Sequence, residues 1–390
     1  MMAPVNNTVH GVVARAGPLG PDIGSCKERL AGGGVRTARK ALLLAEGFRL
    51  QYRVLRCATE AFDEIYVLGT GEAAQLRHSR ACTRYIPAHE PLSALFEHRG
   101  EALNVLCAKH HIDCVLPSCS STTRLLAAHG SHLQTPHFPV PAPDTFAALD
   151  DKWEFAQVCA ALGLPAPPTR LFATANELRQ AAEDRTVTFP LMIKPTAMWG
   201  SYGVQRLDTP EQIPDKLSFS PVLCQDYLPG DDLCVFYLCQ AGQILETFRY
   251  RRTTVGVESV EEPEVDHHAA ALIRHFGYDG VIGFDVRRTP DGRVAFIECN
   301  PRFWYRMDVA MVTGVNFVTL GCATSPVPRG LQGNFLIRSP SRLVLGLLKP
   351  WGLNRLEWSY LGYLSRDLGA NLRIGLTSLI SGQQARGQQF

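Results

Sequence analysis

From Lys40 onward, short apolar runs alternate with segments of helical periodicity. Ala41–Ala45 (ALLLA) reads as a buried strand, Gln51–Phe62 as a helix and Glu64–Leu68 as a second strand. A helical stretch over Leu92–His111 leads into Cys114–Pro117 (CVLP), a further strand. Strands alternating with helices predict parallel pairing in an open α/β sheet. No GxGxxG follows the first strand, which argues against a dinucleotide site there. After a Pro-rich joint at His137–Pro143, the residues Phe155, Val158, Cys159 and Leu162 fall at helical spacing. Asp150 or Asp151 can cap that helix, and Gly163 with Pro165 ends it. Residues 187–325 read as strands and hairpins with intervening helices, one over Val265–Phe276 that stops at Gly277. Residues 1–36 are rich in Gly and Pro without periodicity and read as a loose leader. The tail from Leu336 is basic, with apolar stretches LVLGLLKPW and WSYLGYL. It predicts an amphipathic helical extension that packs on the parent domain, meets a partner subunit or touches a membrane surface.

Composition narrows this picture. A length of 390 residues predicts two or three packed units, and 46% hydrophobic with 19% charged residues is ordinary for a globular protein. A net charge of +2 supplies no field that would make nucleic acid the main partner. The twelve cysteines are scattered without a CxxC pair, so neither a zinc site nor a disulfide framework is expected. The N-terminus lacks the apolar core of a secretory signal, and no uncharged run reaches the roughly 18–20 residues of a membrane span. A reducing cytoplasm is the expected home.

Three stretches carry chemistry. In VIGFDVRRTPDGRVAFIECNPR (Val281–Arg302), Asp291-Gly292 signals a hairpin turn. With those two residues as the turn, Pro290 faces Arg293 and the ladder brings Asp285 opposite Glu298, with Asn300 on the same face. Ile282, Phe284, Val286, Ala295, Ile297 and Cys299 then point into a core. Facing carboxylates repel, and a divalent cation reverses the sign. Asp285, Glu298 and the Asn300 amide oxygen form an oxygen set suited to Mg2+, while neutralisation by Arg287 or Arg293 is the bland alternative. Arg302, just beyond, can orient a carboxylate or offset phosphoryl charge. In FPLMIKPTAMWGSYG, Lys194 leaves an apolar strand ahead of a loop with Gly200, Ser201 and Gly203, whose small residues let backbone N–H groups approach phosphate. A lysine beside a turn is equally a solvated strand end. In VLCQDYLPGDDLCV, the connector Gln225-Asp226-Tyr227-Leu228 and the acid Asp232 suit an adenine edge and a ribose, or an ordinary loop.

Taken in order, Asp151-Lys152, IKP with its glycine loop, QDYLPG with its acids and D…ECNPR resemble the ATP-grasp superfamily over about residues 145–325. NPRFW at Asn300–Trp304 is similar to its carboxylate–amine ligase branch. The resemblance implies an N-terminal open α/β domain (residues 37–144) before a two-lobed α+β ATP-grasp domain (145–325, lobes about 145–220 and 221–325) and a C-terminal extension (326–390). It implies that Lys152 and Lys194 hold the phosphates of ATP and that Trp199–Val204 is the lid. Tyr227 and Leu228 would meet adenine through their backbone beside Gln225 and Asp226, and Asp232 would bind ribose. Asp285, Glu298 and Asn300 match the Mg2+ ligands, and Arg302 the residue facing an acyl phosphate. Bulky Trp199 and Tyr202 depart from the small residues many relatives carry in the lid, and Asp226 stands where glutamate is commoner.

The expected activity is ATP-dependent joining of a small-molecule carboxylate to an amine, amino-acid-like in class, through an acyl phosphate. Trp304, Tyr305, Arg306 and Tyr250-Arg251-Arg252 are expected on the acceptor side, although Arg251 and Arg252 equally suit a solvated strand end. Rivals are a small-molecule kinase and an ATP-binding regulatory or scaffold protein without turnover. Biotin-linked carboxylation is disfavoured because no biotin-attachment MKM motif occurs. Homodimers are common in the family.

Overall fold

The computed structural model describes residues 38–196, 203–323 and 334–374. The sequence-predicted leader and the lid residues Trp199, Gly200, Ser201 and Tyr202 lie outside them.

The first elements are β1 (Lys40–Ala45), α1 (Arg49–Ala58), β2 (Glu64–Gly69), β3 (Arg84–Pro87), α2 (Glu97–His110), β4 (Cys114–Leu116) and α3 (Ser120–His129). Their strands form an all-parallel sheet in the order β3-β2-β1-β4. The unbroken ALLLA run suits β1, which is covered on both faces and buried from Ala41 to Ala45. Two predicted helices are shorter than expected. The first stops at Ala58, and Leu92–Phe96 is a separate 3-10 turn before α2.

Two helices, α4 (Pro143–Asp150) and α5 (Lys152–Leu162), lead to a small antiparallel sheet of order β5-β8-β6-β7. Its strands are β5 (Thr169–Phe172), β6 (Leu191–Pro195), β7 (Gln205–Leu207) and β8 (Val222–Asp226), with α6 (Ala175–Glu183) after β5. Asp151 is the cap: its Oδ1 accepts from the backbone N–H groups of Trp153 and Glu154 at 2.8 and 3.1 Å.

The third sheet has six strands in the order β13-β12-β9-β10-β11-β14. It comprises β9 (Asp231–Gln240), β10 (Gln243–Arg252), β11 (Gly256–Ser259), β12 (Gly280–Arg288), β13 (Val294–Asn300) and β14 (Leu336–Arg338). On one face Val235, Tyr237, Phe284 and Phe296 pack against α5 and α7 (Pro263–His275). On the other, Phe236, Phe248 and Tyr250 share a core with α1, α8 (Met307–Val312) and α9 (Phe317–Gly321). The C-terminal stretch is more integrated than a helical appendix. Its β14 pairs with β11, while α10 (Pro340–Gly346) and α11 (Arg355–Ser365) bury Leu343, Tyr360 and Tyr363 in that same core.

Candidate active site

The hairpin β12–β13 sets the site, and it does so by a different route from simple alternation. Asp285 faces Glu298, as the sequence predicts, and Gly283 faces Asn300. The turn, however, is a three-residue loop, Pro290-Asp291-Gly292, closed by the Thr289 N–H donating to the Arg293 carbonyl at 2.9 Å. Gly292 takes the left-handed backbone (φ 87°) that this loop requires. That shifts the ladder by one residue, so Arg287 faces Ala295 and Val286 faces Phe296. A bulge at Ile297 then restores the register before Glu298. Val294 and Phe296 join Ile282, Phe284, Val286 and Cys299 in this core, whereas Ala295 is buried outside it and, as a correction to the expected core set, Ile297 is half-buried.

The bulge frees the Ile297 carbonyl. It accepts from Lys194 Nζ at 3.4 Å, and Gln225 Oε1 accepts from the same ammonium at 2.9 Å. Gln225 is in turn oriented by donating from Nε2 to Thr169 Oγ1 at 3.1 Å. Lys194 is only 4% exposed, and burial pulls its pKa from 10.5 down to about 8, against the opposing pull of the Glu298 and Asp285 carboxylates. The other sequence-predicted phosphate lysine also arrives here. Lys152, 7% exposed at the start of α5, places Nζ 3.2 Å from Glu298 Oε1.

Around the acids the polar groups interlock. Asp285 Oδ1 accepts from Cys234 Sγ at 3.2 Å, and its Oδ2 accepts from Asn300 Nδ2 at 3.3 Å. Asn300 Oδ1 accepts from Arg302 Nη2 at 2.7 Å. Burial first, and then the facing Glu298, push the Asp285 carboxyl above its usual range, with Arg252 and Arg302 pulling it back. Two facing carboxylates and an amide oxygen are hard donors in the number Mg2+ takes from protein, and their mutual repulsion is what a dication relieves. The donor set fits that ion.

Arg302 donates through Nε to Ser120 Oγ at 2.8 Å, reaching across to the first turn of α3 at the carboxyl end of β4. Ser120 Oγ donates to Asp150 Oδ1 at 3.0 Å, and Ser121 hydrogen-bonds to Glu46 just past β1. In a parallel sheet of order β3-β2-β1-β4, the order in which strands are added reverses between β1 and β4, and the carboxyl ends at such a switch point are where open α/β sheets bind ligands. Glu46, Ser120 and Ser121 are thus site candidates absent from the sequence reading. The run of small hydroxyls after the CVLP strand was their signal.

The nucleotide-edge residues are partly committed elsewhere. The Tyr227 N–H donates to the Pro190 carbonyl at 3.1 Å, and the Arg206 guanidinium lies 4.1 Å from the Tyr227 ring centroid. Asp226 and Leu228 are half-buried beside it. Asp232, exposed at the start of β9, pairs with Arg287 Nη2 at 3.0 Å. Residues 227–230 carry the chain from the small sheet to the large one. Gly230 is required there because a Cβ would fall 1.9 Å from the Arg288 carbonyl oxygen. Gly203, the first described residue of the predicted lid, packs under Phe219, whose ring would lie 2.8 Å from a Cβ at that position. Among the acceptor-side expectations, Trp304 and Tyr250 are corrected to core residues. Trp304 is 3% exposed and stacks on Phe236 at 4.1 Å between ring centroids. Arg251 is held by Asp231 and Glu258, as a solvated strand end would be.

Residues 218–326 match the family model described as ATP-grasp in the biosynthetic pathway with Ter operon. No curated protein matches the chain in sequence. Solved structures similar in fold include carboxyaminoimidazole ribonucleotide synthase from Aspergillus clavatus complexed with ATP (TM-score 0.58, 16% identity, 76% of this chain and 80% of that one). Biotin carboxylase from Campylobacter jejuni superposes at TM-score 0.57 with 15% identity, over 73% of this chain and 70% of that one. L-amino acid ligase from Bacillus licheniformis does so at TM-score 0.54 with 14% identity, over 75% and 76%. The chain shares the fold of these structures over about three quarters of its length, with mixed α/β and α+β architecture, and the ATP-grasp model matches it over residues 218–326.

Proposed function

We propose that this protein is an ATP- and magnesium-dependent carboxylate–amine ligase that forms an amide through an acyl phosphate. The observation that carries the reading is the convergence of two buried lysines on the Asp285–Glu298 pair, with Lys152 3.2 Å from Glu298 and Lys194 held beside it by Gln225 and Ile297. Lysine ammonium groups fixed beside paired carboxylates match the charge pattern of a nucleotide triphosphate with its metal.

In this reading Lys152 and Lys194 hold the phosphates, Gly200, Ser201 and Gly203 cover them, and Asp285, Glu298 and Asn300 hold Mg2+. Bound there, the metal supplies positive charge that offsets the transferring phosphoryl group. With the Tyr227 N–H already donated, the adenine edge falls to the Leu228 backbone beside Gln225 and Asp226, and Asp232 meets the ribose. The carboxylate oxygen of the substrate attacks the γ-phosphorus as the bond to ADP breaks. Arg302 steadies the resulting acyl phosphate. An amine then attacks the carbonyl carbon, phosphate leaves with the bonding pair, and the amine proton passes to solvent. Arg302, Arg252 and Arg306 favour an acidic or amino-acid-like substrate. Catalysis is by positioning and charge, so no protein nucleophile is required.

Hydroxylamine tests the intermediate directly, because it traps acyl phosphates as hydroxamates. Incubation with ATP, Mg2+ and pooled carboxylates should give a hydroxamate that depends on one pool. A stable phosphorylated product insensitive to hydroxylamine would instead mark a kinase.

A further inference from the structure

The strongest feature outside the site is the surface of the C-terminal segment. Of the eleven large apolar side chains exposed among the described residues, nine lie between Leu336 and Leu372. The densest run spans the end of α10 and the turn after it, where Val344, Leu345, Leu348 and Trp351 are 61%, 66%, 79% and 83% exposed. These residues sit on a firm base. Leu343 and Leu353 on either side are buried, and Arg338 Nη2 donates to the Gly352 carbonyl at 2.7 Å. A concentration of apolar side chains on one ordered stretch marks a contact surface rather than scattered exposure.

Charge identifies the partner. The segment from Leu336 to Ile374 contains two acids, Glu357 and Asp367, and both are turned inward at 2% and 3% exposure. Glu357 pairs with Arg338 at 2.7 Å, and Asp367 Oδ1 accepts from the Arg80 N–H at 3.4 Å. Arg342, Lys349, Arg355 and Arg366 all face solvent. The exposed positions of the segment itself therefore mix tryptophan and leucine with cations and include no acid. A second copy docked by a two-fold axis would set cations against cations. No helix among the described residues is long and apolar enough to cross a membrane. A basic, Trp- and Leu-bearing surface on short helices is suited to lying in the headgroup region of an anionic bilayer.

We propose that the C-terminal segment docks this protein on an anionic membrane surface, with Leu348 and Trp351 entering the headgroup layer and Arg342, Lys349, Arg355 and Arg366 meeting lipid phosphates. The test is sedimentation of the full-length chain with two kinds of vesicle, phosphatidylcholine alone and phosphatidylcholine with about a third phosphatidylglycerol. Binding should be on the order of tenfold or more tighter to the anionic vesicles and should weaken with salt. Leu348→Glu with Trp351→Glu should abolish it while leaving the urea unfolding midpoint unchanged, since both side chains are solvent-exposed. Equal or absent binding to the two vesicle types would overturn the proposal. So would a wild-type dimer in solution that the double variant dissociates, because a second copy would then be the occupant.

Discussion

Lys194 keeps its charge in a place that disfavours it. Burial draws its pKa from 10.5 to about 8, and its two acceptors are neutral oxygens from Gln225 and Ile297. A lysine depressed in the folded state costs stability while charged, so this contribution improves as pH rises from about 8 toward the value of a free lysine. Nucleotide binding runs the other way, because it needs the charge. The ATP dissociation constant, followed by calorimetry from about pH 7 to about 9.5, should rise by about tenfold per unit above the pKa, and Lys194→Met should flatten the profile. A wild-type profile already flat would remove Lys194 from the phosphate site. The sequence made this lysine visible as a lone cation leaving an apolar strand, but not its partners, since Ile297 stands 103 positions away. Arg302 and Ser120, 182 positions apart, are a similar case: nothing local in either stretch names the other.

At the level of elements, alternation was enough to bring Asp285 opposite Glu298, although the intervening ladder differs. A three-residue loop moved the register one way and the Ile297 bulge moved it back. Neither is visible in the residue pattern, because Val294, Ala295, Phe296 and Ile297 are all apolar and fill either face equally well. Gly283 shows how tightly the hairpin fits its neighbour. It pairs with Asn300, and a Cβ there would lie 2.2 Å from the Phe236 ring. Gly283→Ala should lower stability by about 1–3 kcal/mol in urea unfolding. It should also raise the Mg2+ concentration needed for ATP binding, as Asn300 is displaced. Stability and metal dependence both at wild-type values would mean the sheet accommodates the methyl group elsewhere.

Across the described residues, contacts far apart in sequence tie the elements together. Arg53 of α1 pairs with Asp308 of α8 at 2.8 Å, with both side chains buried, and Tyr360 of α11 donates to Asp308 Oδ2 at 3.3 Å. The C-terminal segment thereby fastens the parallel sheet's first helix to the stretch that follows Arg302. Asp308→Asn would leave Arg53 with an unpaired buried charge and should cost about 3–5 kcal/mol in urea unfolding. A change below about 0.5 kcal/mol would show that the pair contributes little to holding these parts together. The alternation of β1, α1, β2 and β4, and the helices α5 and α7, were legible in the sequence, whereas β3, α3 and α6 were not named by it. The addition of β14 to the large sheet was not legible either, because three residues carry too short a pattern.

Phosphate release reports what the paired acids and lysines do together. ATP, Mg2+ and pools of amino acids and other carboxylates are supplied to the wild-type protein and to Glu298→Ala. Release of ADP and phosphate should depend on one pool and be lost in the variant. Formation of AMP, or release that survives loss of Glu298, would contradict the proposed function.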